Sequence, residues 1–174
     1  LFNRLTDDDA VASDALFVTL DPLTRELRLP SRQRASISDT VGFIDRLPHT
    51  LVAAFRATLE EVADADLLLH VVDGSIDDFE RHIRAVERVL GEVGAHDVPA
   101  LLVFNKVDRL DAGAREHLRQ AYDGSLQISA ATGDGVETLL AEVARALALD
   151  TRRVTLSFDQ ARAEDREAIE RLYR

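Results

Sequence analysis

Two apolar runs limit the possible architectures most sharply: LLLHVV at 67–72 and ALLVF at 100–104. Neither alternates between apolar and polar residues, as a strand with one wet face would. Continuous apolar character over five or six residues predicts strands buried on both faces of a parallel sheet. A weaker run, SLQIS at 125–129, predicts a third strand. Helical periods lie around and between them. Leu51, Phe55, Leu59 and Val62 form one stripe; Phe79, Ile83, Val86 and Leu90 a second; Val136, Leu139, Leu140, Val143 and Leu147 a third. Strand, helix, strand, helix is the order of right-handed crossovers, so the expected class is α/β: a doubly wound, mostly parallel sheet with helices on both faces.

Upstream, TRELRLP and RQRASIS read as two short strands joined through a turn, and residues 6–18, with DDD at 7–9, read as a polar loop. Residues 1–150 make one domain on this reading. After Asp150 the pattern restarts: RRVTLSF alternates like a strand and REAIERLYR resembles the opening of a helix. Residues 151–174 are therefore expected to begin a second, small domain. The chain opens on Leu1 and contains no methionine, which leads us to expect an internal piece of a longer protein. A formal charge of −11 argues against nucleic-acid binding driven by counterion release and against sequence-specific DNA binding. No stretch has the roughly 20 apolar residues of a membrane span, and none reads as a signal peptide. The absence of cysteine excludes disulfides and thiolate metal sites and is compatible with a cytoplasmic location.

Ligands of open parallel sheets bind beyond the carboxyl ends of the strands, and three short motifs fall there. Asp39-Thr40-Val41-Gly42 follows RASIS. Its carboxylate can hold water on a magnesium ion, and its glycine lets a backbone N–H approach a terminal phosphate. Asp-x-x-Gly is also ordinary turn chemistry. Asn105-Lys106-Val107-Asp108 follows ALLVF. An aspartate there can accept from N1–H and the exocyclic amine of guanine, which adenine cannot match. Asn105 can bridge the base-binding loops, and the Lys106 stem can cover the base; a solvated turn is the plainer reading. Ser129-Ala130 follows SLQI, where a small residue lets a backbone N–H reach guanine O6; alone it reads as a loop before a helix. The order and spacing of all three carry the argument. Thr19, in FVTLDP at 17–22, is the candidate hydroxyl ligand for magnesium beside Asp39.

The run LFNRLT, FVTLDP, DTVGFIDRLPHTLVAAFRATLEEV, LLLHVVD and LLVFNKVD closely resembles the HflX family of ribosome-associated GTPases, with LPHxLVxAFxxTLEE its distinctive part. The resemblance covers roughly residues 1–150. It implies a P-loop NTPase fold of the TRAFAC type, GTP or GDP as ligand and Mg2+ as cofactor. It also implies binding to the large ribosomal subunit, with GTP hydrolysis coupled to splitting or rescue of stalled ribosomes. By the same resemblance Asp39, Gly42, Asn105, Lys106, Asp108, Ser129 and Ala130 bind nucleotide, and Thr19 and Asp39 hold the metal. The family also carries a GxxxxGK[ST] loop immediately before LFNRLT. The chain is thus expected to be truncated at its N-terminal strand, to bind nucleotide weakly by itself and to have poor stability alone.

Gly42 and Phe43 occupy the catalytic switch. Ras-type switches place a water-orienting glutamine after this glycine, and Phe43 cannot take that role, so slow basal hydrolysis with ribosomal stimulation follows; packing under the switch helix is the bland alternative. Competing readings are another translation-linked GTPase, Obg-like or Era-like, and a non-catalytic binding module. His70 reads as a core imidazole, Asp73 as the residue that closes its strand, and Arg46 and His49 as solvated loop positions.

Overall fold

A computed structural model describes residues 1–6, 23–30, 33–40 and 62–147. Helix α1 spans Phe2–Thr6. Strands β1, Leu23–Arg28, and β2, Arg34–Asp39, form an antiparallel pair in register from Leu23 opposite Asp39 to Arg28 opposite Arg34. Next come β3, Leu68–Asp73; α2, Phe79–Glu92; β4, Ala100–Asn105; a single 3-10 turn, Val107–Arg109; α3, Ala112–Ala121; β5, Leu126–Gln127; and α4, Val136–Leu147. Strands β3, β4 and β5 form a parallel sheet in that order.

Strand β4 shows why the apolar runs are continuous. Val103 and Phe104 are both fully buried, yet they belong to different core clusters. Successive side chains of a strand point to opposite faces. Val103 packs with Leu5 of α1 and with Val136, Leu139 and Val143 of α4. Phe104 packs with Ile83 of α2 and Leu118 of α3. The sheet therefore has helices on both faces, as the patterning requires. Leu27 and Leu29, from β1 and just after it, join the first cluster, so the antiparallel pair shares a core with the parallel sheet. On the second face Phe79, Phe104 and Tyr122 meet edge to face, with centroids 5.1–6.0 Å apart.

The elements end where local chemistry stops them. Helix α2 closes with Gly94 at φ 78°, Ala95 N–H bonded to Leu90 O at 2.8 Å and Gly94 N–H to Gly91 O at 3.3 Å. These are the paired bonds of a glycine-terminated helix. Helix α3 starts at Asp111, whose Oδ1 accepts from Ala114 N–H at 2.7 Å.

The third strand is shorter than SLQIS suggests. After Gln127 the chain makes one more exchange, Ile128 N–H to Phe104 O at 2.8 Å, and then turns into the loop that opens α4. Strands β3 and β4 each run one residue beyond the apolar run, taking in Asp73 and Asn105. The polar loop at 6–18 lies, beyond Thr6, outside the described residues, as do the stripe at Leu51, Phe55 and Leu59 and the tail at 151–174.

Candidate functional site

Asp73 and Asn105 are register partners at the carboxyl end of the β3–β4 ladder. The pairing brings LLLHVVD and LLVFNKVD side by side. Gly74 N–H continues the contact, donating to Asn105 O at 2.9 Å. Beyond Asn105 the backbone turns sharply. Lys106 has φ 64°, the one non-glycine residue in the left-handed region among those described. That conformation costs about 1 kcal/mol for an ordinary residue, and Asn105 offsets it by accepting from Lys106 N–H through its own Oδ1 at 2.8 Å. The same Oδ1 accepts from Ala130 N–H at 2.9 Å. One side-chain oxygen thus joins the two strand-end loops, as the sequence reading anticipated for Asn105.

The loop after β5 is closed by its own backbone and hydroxyls. Gly133 N–H donates to Ser129 O at 2.8 Å, Ser129 N–H to Asp134 O at 2.8 Å, and Thr132 N–H to Ser129 Oγ at 3.1 Å. Ser129 is fully buried. Its hydroxyl also bonds the Asp108 carboxylate, and this bond, the main influence there, holds Asp108 below its ordinary carboxylate pKa. Asp108 itself is exposed, so an ionised acceptor faces solvent beside the loop.

Ala130 N–H is engaged by Asn105. Ala131 N–H, one residue on, has no acceptor among the described residues. The arrangement therefore offers a carboxylate acceptor from one loop and a backbone donor from the other, tied together by Asn105.

Asp73 does more than close its strand. Its Oδ1 accepts from Ser75 N–H at 3.0 Å and from Ser75 Oγ at 2.6 Å, and its Oδ2 lies 2.7 Å from Lys106 Nζ. Burial pushes this carboxyl up, but the hydrogen bonds from Lys106 and Ser75, with the Lys106 charge, outweigh it and hold the group below 3.8. Sequence reasoning missed this role because strand register is invisible in a one-dimensional pattern.

A pH dependence follows. A depressed folded pKa contributes stability that is complete above 3.8 and is lost as pH falls through the folded value. The pair is partly exposed, 25% for Asp73 and 43% for Lys106, so screening keeps its worth to about 1 kcal/mol or less. Compared by denaturant unfolding, the wild-type protein should lose more stability below pH 3.8 than Asp73→Asn. Identical acid responses would contradict the pairing.

The other candidates lie apart from this cluster. Asp39 ends β2. Burial raises its pKa, opposed by Thr40 N–H; none of the base-side residues influences it. His70 is half-buried on β3, and that burial lowers its pKa against the pull of Glu87. Thr19, Gly42 and Phe43 lie outside the described residues, with Arg46 and His49. Among the described residues no three carboxylates or imidazoles converge as a metal site, and no helix is long and apolar enough to cross a membrane.

The sequence profile of the 50S ribosome-binding GTPases matches residues 1–106, from α1 through the turn at Lys106. The chain belongs to this family. Within it, the resemblance to HflX is borne out. The chain is 50% identical over 147 residues to the GTPase HflX of Magnetococcus marinus, covering 84% of the chain and 34% of that relative. It is 57% identical over 109 residues to the GTPase HflX of Alkalihalophilus pseudofirmus, covering 63% and 26%. For the GTPase HflX of Escherichia coli the figures are 41% over 158 residues, 90% and 37%. The chain spans about a third of the length of these curated relatives.

Solved structures agree on the family's fold. A mutation variant of SsGBP superposes with TM-score 0.63 at 23% identity, covering 86% of this chain and 52% of that one. Era in complex with MgGDPNP and a segment of 16S ribosomal RNA superposes with TM-score 0.61 at 18% identity, covering 92% and 54%.

Proposed function

We propose that this chain is the guanine-recognising part of an HflX-type GTPase that binds GTP with Mg2+, hydrolyses it, and couples hydrolysis to work on the large ribosomal subunit, including splitting or rescue of stalled ribosomes. The observation that carries the reading is the Asn105 bridge between Lys106 N–H and Ala130 N–H, with Asp108 beside it, in a member of the 50S ribosome-binding GTPase family. Asp108 accepts from guanine N1–H and the exocyclic amine. The N–H of Ala131, next to Ala130, meets O6, and the Lys106 stem lies over the ring. Adenine reverses the donor–acceptor pattern on that edge, leaving Asp108 unpaired.

At the phosphate side, Asp39 is a hard oxygen donor whose burial disfavours its charge. A divalent cation relieves that penalty, so the residue fits a magnesium ion that keeps most of its water shell. Thr19 is the second proposed ligand, and the ion's role is to neutralise phosphate charge. Gly42 N–H approaches the terminal phosphate, and Phe43, lacking a polar group, leaves water orientation to groups supplied elsewhere or by the ribosome. A ribosomal partner implies a cytoplasmic site of action. We assign residues 1–150 to the GTPase domain and 151–174 to the start of a small following domain. The Era-like alternative shares the fold at 18% identity, whereas the HflX relatives share 41–57%.

Turnover by the whole protein tests the reading. GTP should be hydrolysed at least about a hundredfold faster than ATP at equal low concentration, and added 50S subunits should raise the GTP rate. Equal turnover of the two nucleotides, or indifference to 50S subunits, would remove the corresponding half of the proposal.

A further inference from the structure

Two side chains outside the recognition motifs hold the loop Ser129–Asp134: Arg115 of α3, whose Nη1 donates to Asp134 Oδ2 at 3.1 Å, and Arg4 of α1. Arg4, on α1, donates from Nε to Ala130 O at 3.0 Å and from Nη2 to Ala131 O at 2.6 Å. Its remaining nitrogen, Nη1, lies against Gly133, 3.7 Å from where a Cβ would stand. A planar guanidinium thus holds two consecutive carbonyls with the fixed fork of donors that lysine lacks. The next residue, Leu5, is buried in the core and ties α1 to β4 and α4. Arg4 is therefore mounted on a packed element and reaches across to the loop from a position 126 residues away in sequence.

The geometry has a direct consequence for the peptide planes. Fixing Ala130 O sets the orientation of Ala131 N–H, because the two belong to one planar unit. Ala131 N–H is the loop donor without an acceptor among the described residues. Asn105 secures the same loop from the β4 side through Ala130 N–H. The two clamps grip opposite sides of Ala130, one through its N–H and one through its carbonyl.

We propose that Arg4 is a positioning residue for base recognition: it aims the Ala131 N–H at the O6 edge of a bound guanine nucleotide. This rests on the guanine reading above. Arg4 is exposed and reaches the recognition loop only through the carbonyls of Ala130 and Ala131, so its effect on the base is exerted through the loop backbone. Losing it removes two charge-assisted hydrogen bonds, which leaves α1 in place but frees the Ala130–Ala131 peptide to rotate.

The test uses the whole protein as wild type, Arg4→Ala and Arg4→Lys, with GDP, 6-thio-GDP, IDP and ADP as displacing ligands. 6-Thio-GDP weakens the acceptor at position 6, whereas IDP removes only the amine read by Asp108. Arg4→Ala should bind GDP about tenfold more weakly. It should lose most of its preference for GDP over 6-thio-GDP and keep its preference for GDP over IDP. Arg4→Lys, able to reach one carbonyl, should recover part of that preference. Amide exchange without nucleotide should accelerate at Ala130 and Gly133, whose N–H groups are bonded, in Arg4→Ala and stay unchanged within α3. A GDP to 6-thio-GDP preference that ignores Arg4, or unchanged loop exchange, overturns the inference alone. A wild-type protein that binds ADP as well as GDP overturns the guanine reading and this inference with it.

Discussion

Replacing Asp108 with asparagine should transfer the whole protein's preference from GTP to XTP. Guanine presents two donors on the edge that Asp108 faces, and a carboxylate accepts both. Xanthine replaces the amine with a carbonyl, so its edge carries one donor and one acceptor. Asparagine offers the matching pair, a carbonyl and an NH2 group. GTP affinity should fall about a hundredfold or more, since a site built to satisfy a polar group strongly rejects an analogue that leaves it unpaired. XTP, excluded from the wild-type protein, should bind at least as well as GTP binds the variant. The exposed wild-type carboxyl is ionised throughout the neutral range, and the Ser129 hydroxyl lowers its pKa further. Displacement of a fluorescent nucleotide measures both affinities. Unchanged GTP binding in the variant would remove Asp108 from base recognition.

The second large effect concerns stability. Gly135 has φ 72°, and a Cβ there would lie 2.2 Å from Gln127 O and 3.2 Å from Ile128 Cα. The obstacle is backbone at the end of β5, which cannot swing aside like a side chain. Gly135→Ala should therefore destabilise the protein by about 3 kcal/mol, combining left-handed strain with forced separation of the loop from the strand. At this chain length that lowers Tm by roughly 6–12 °C. Gly124 is the internal control: it has φ 76° with nothing within 4 Å of the added Cβ, so Gly124→Ala should cost only about 1 kcal/mol. Calorimetry on both variants separates collision from strain. Equal Tm values for the two would show that the clash is relieved.

Much of this was legible in the sequence where a single segment carries the signal. ALLVF is apolar throughout because β4 is covered by helices on both faces; LLLHVV is apolar but for His70, and the other polar residues lie at the strand ends. Asn105 and Asp108 could be located on that ground alone. Phe79, Ile83 and Val136 likewise revealed their helices through a 3.6-residue period. Helix α3 escaped notice because its apolar stripe is thin; only Leu118 is fully buried. The capping aspartate at 111 was its available signal. What no local pattern encodes is contact between distant segments. The Asp73–Lys106 pair depends on the register of two parallel strands, and the Arg4 clamp on how α1 lies against a loop from the far end of the domain. The partner of Ala130 N–H is likewise set by the turn at Lys106, not by the Ser-Ala dipeptide. Thr19, Gly42 and Phe43 rest on sequence alone.

Among the described strands of the parallel sheet, β4 alone has a neighbour on each side. Asn105 is its last residue, so the oxygen that gathers both loops stands on the interior plank of the described parallel sheet rather than on a border. Loosening either helical layer need not break the grip outright. It would blur the alignment of a few atoms, and a bound base would feel that as a shorter stay long before the fold itself gave way.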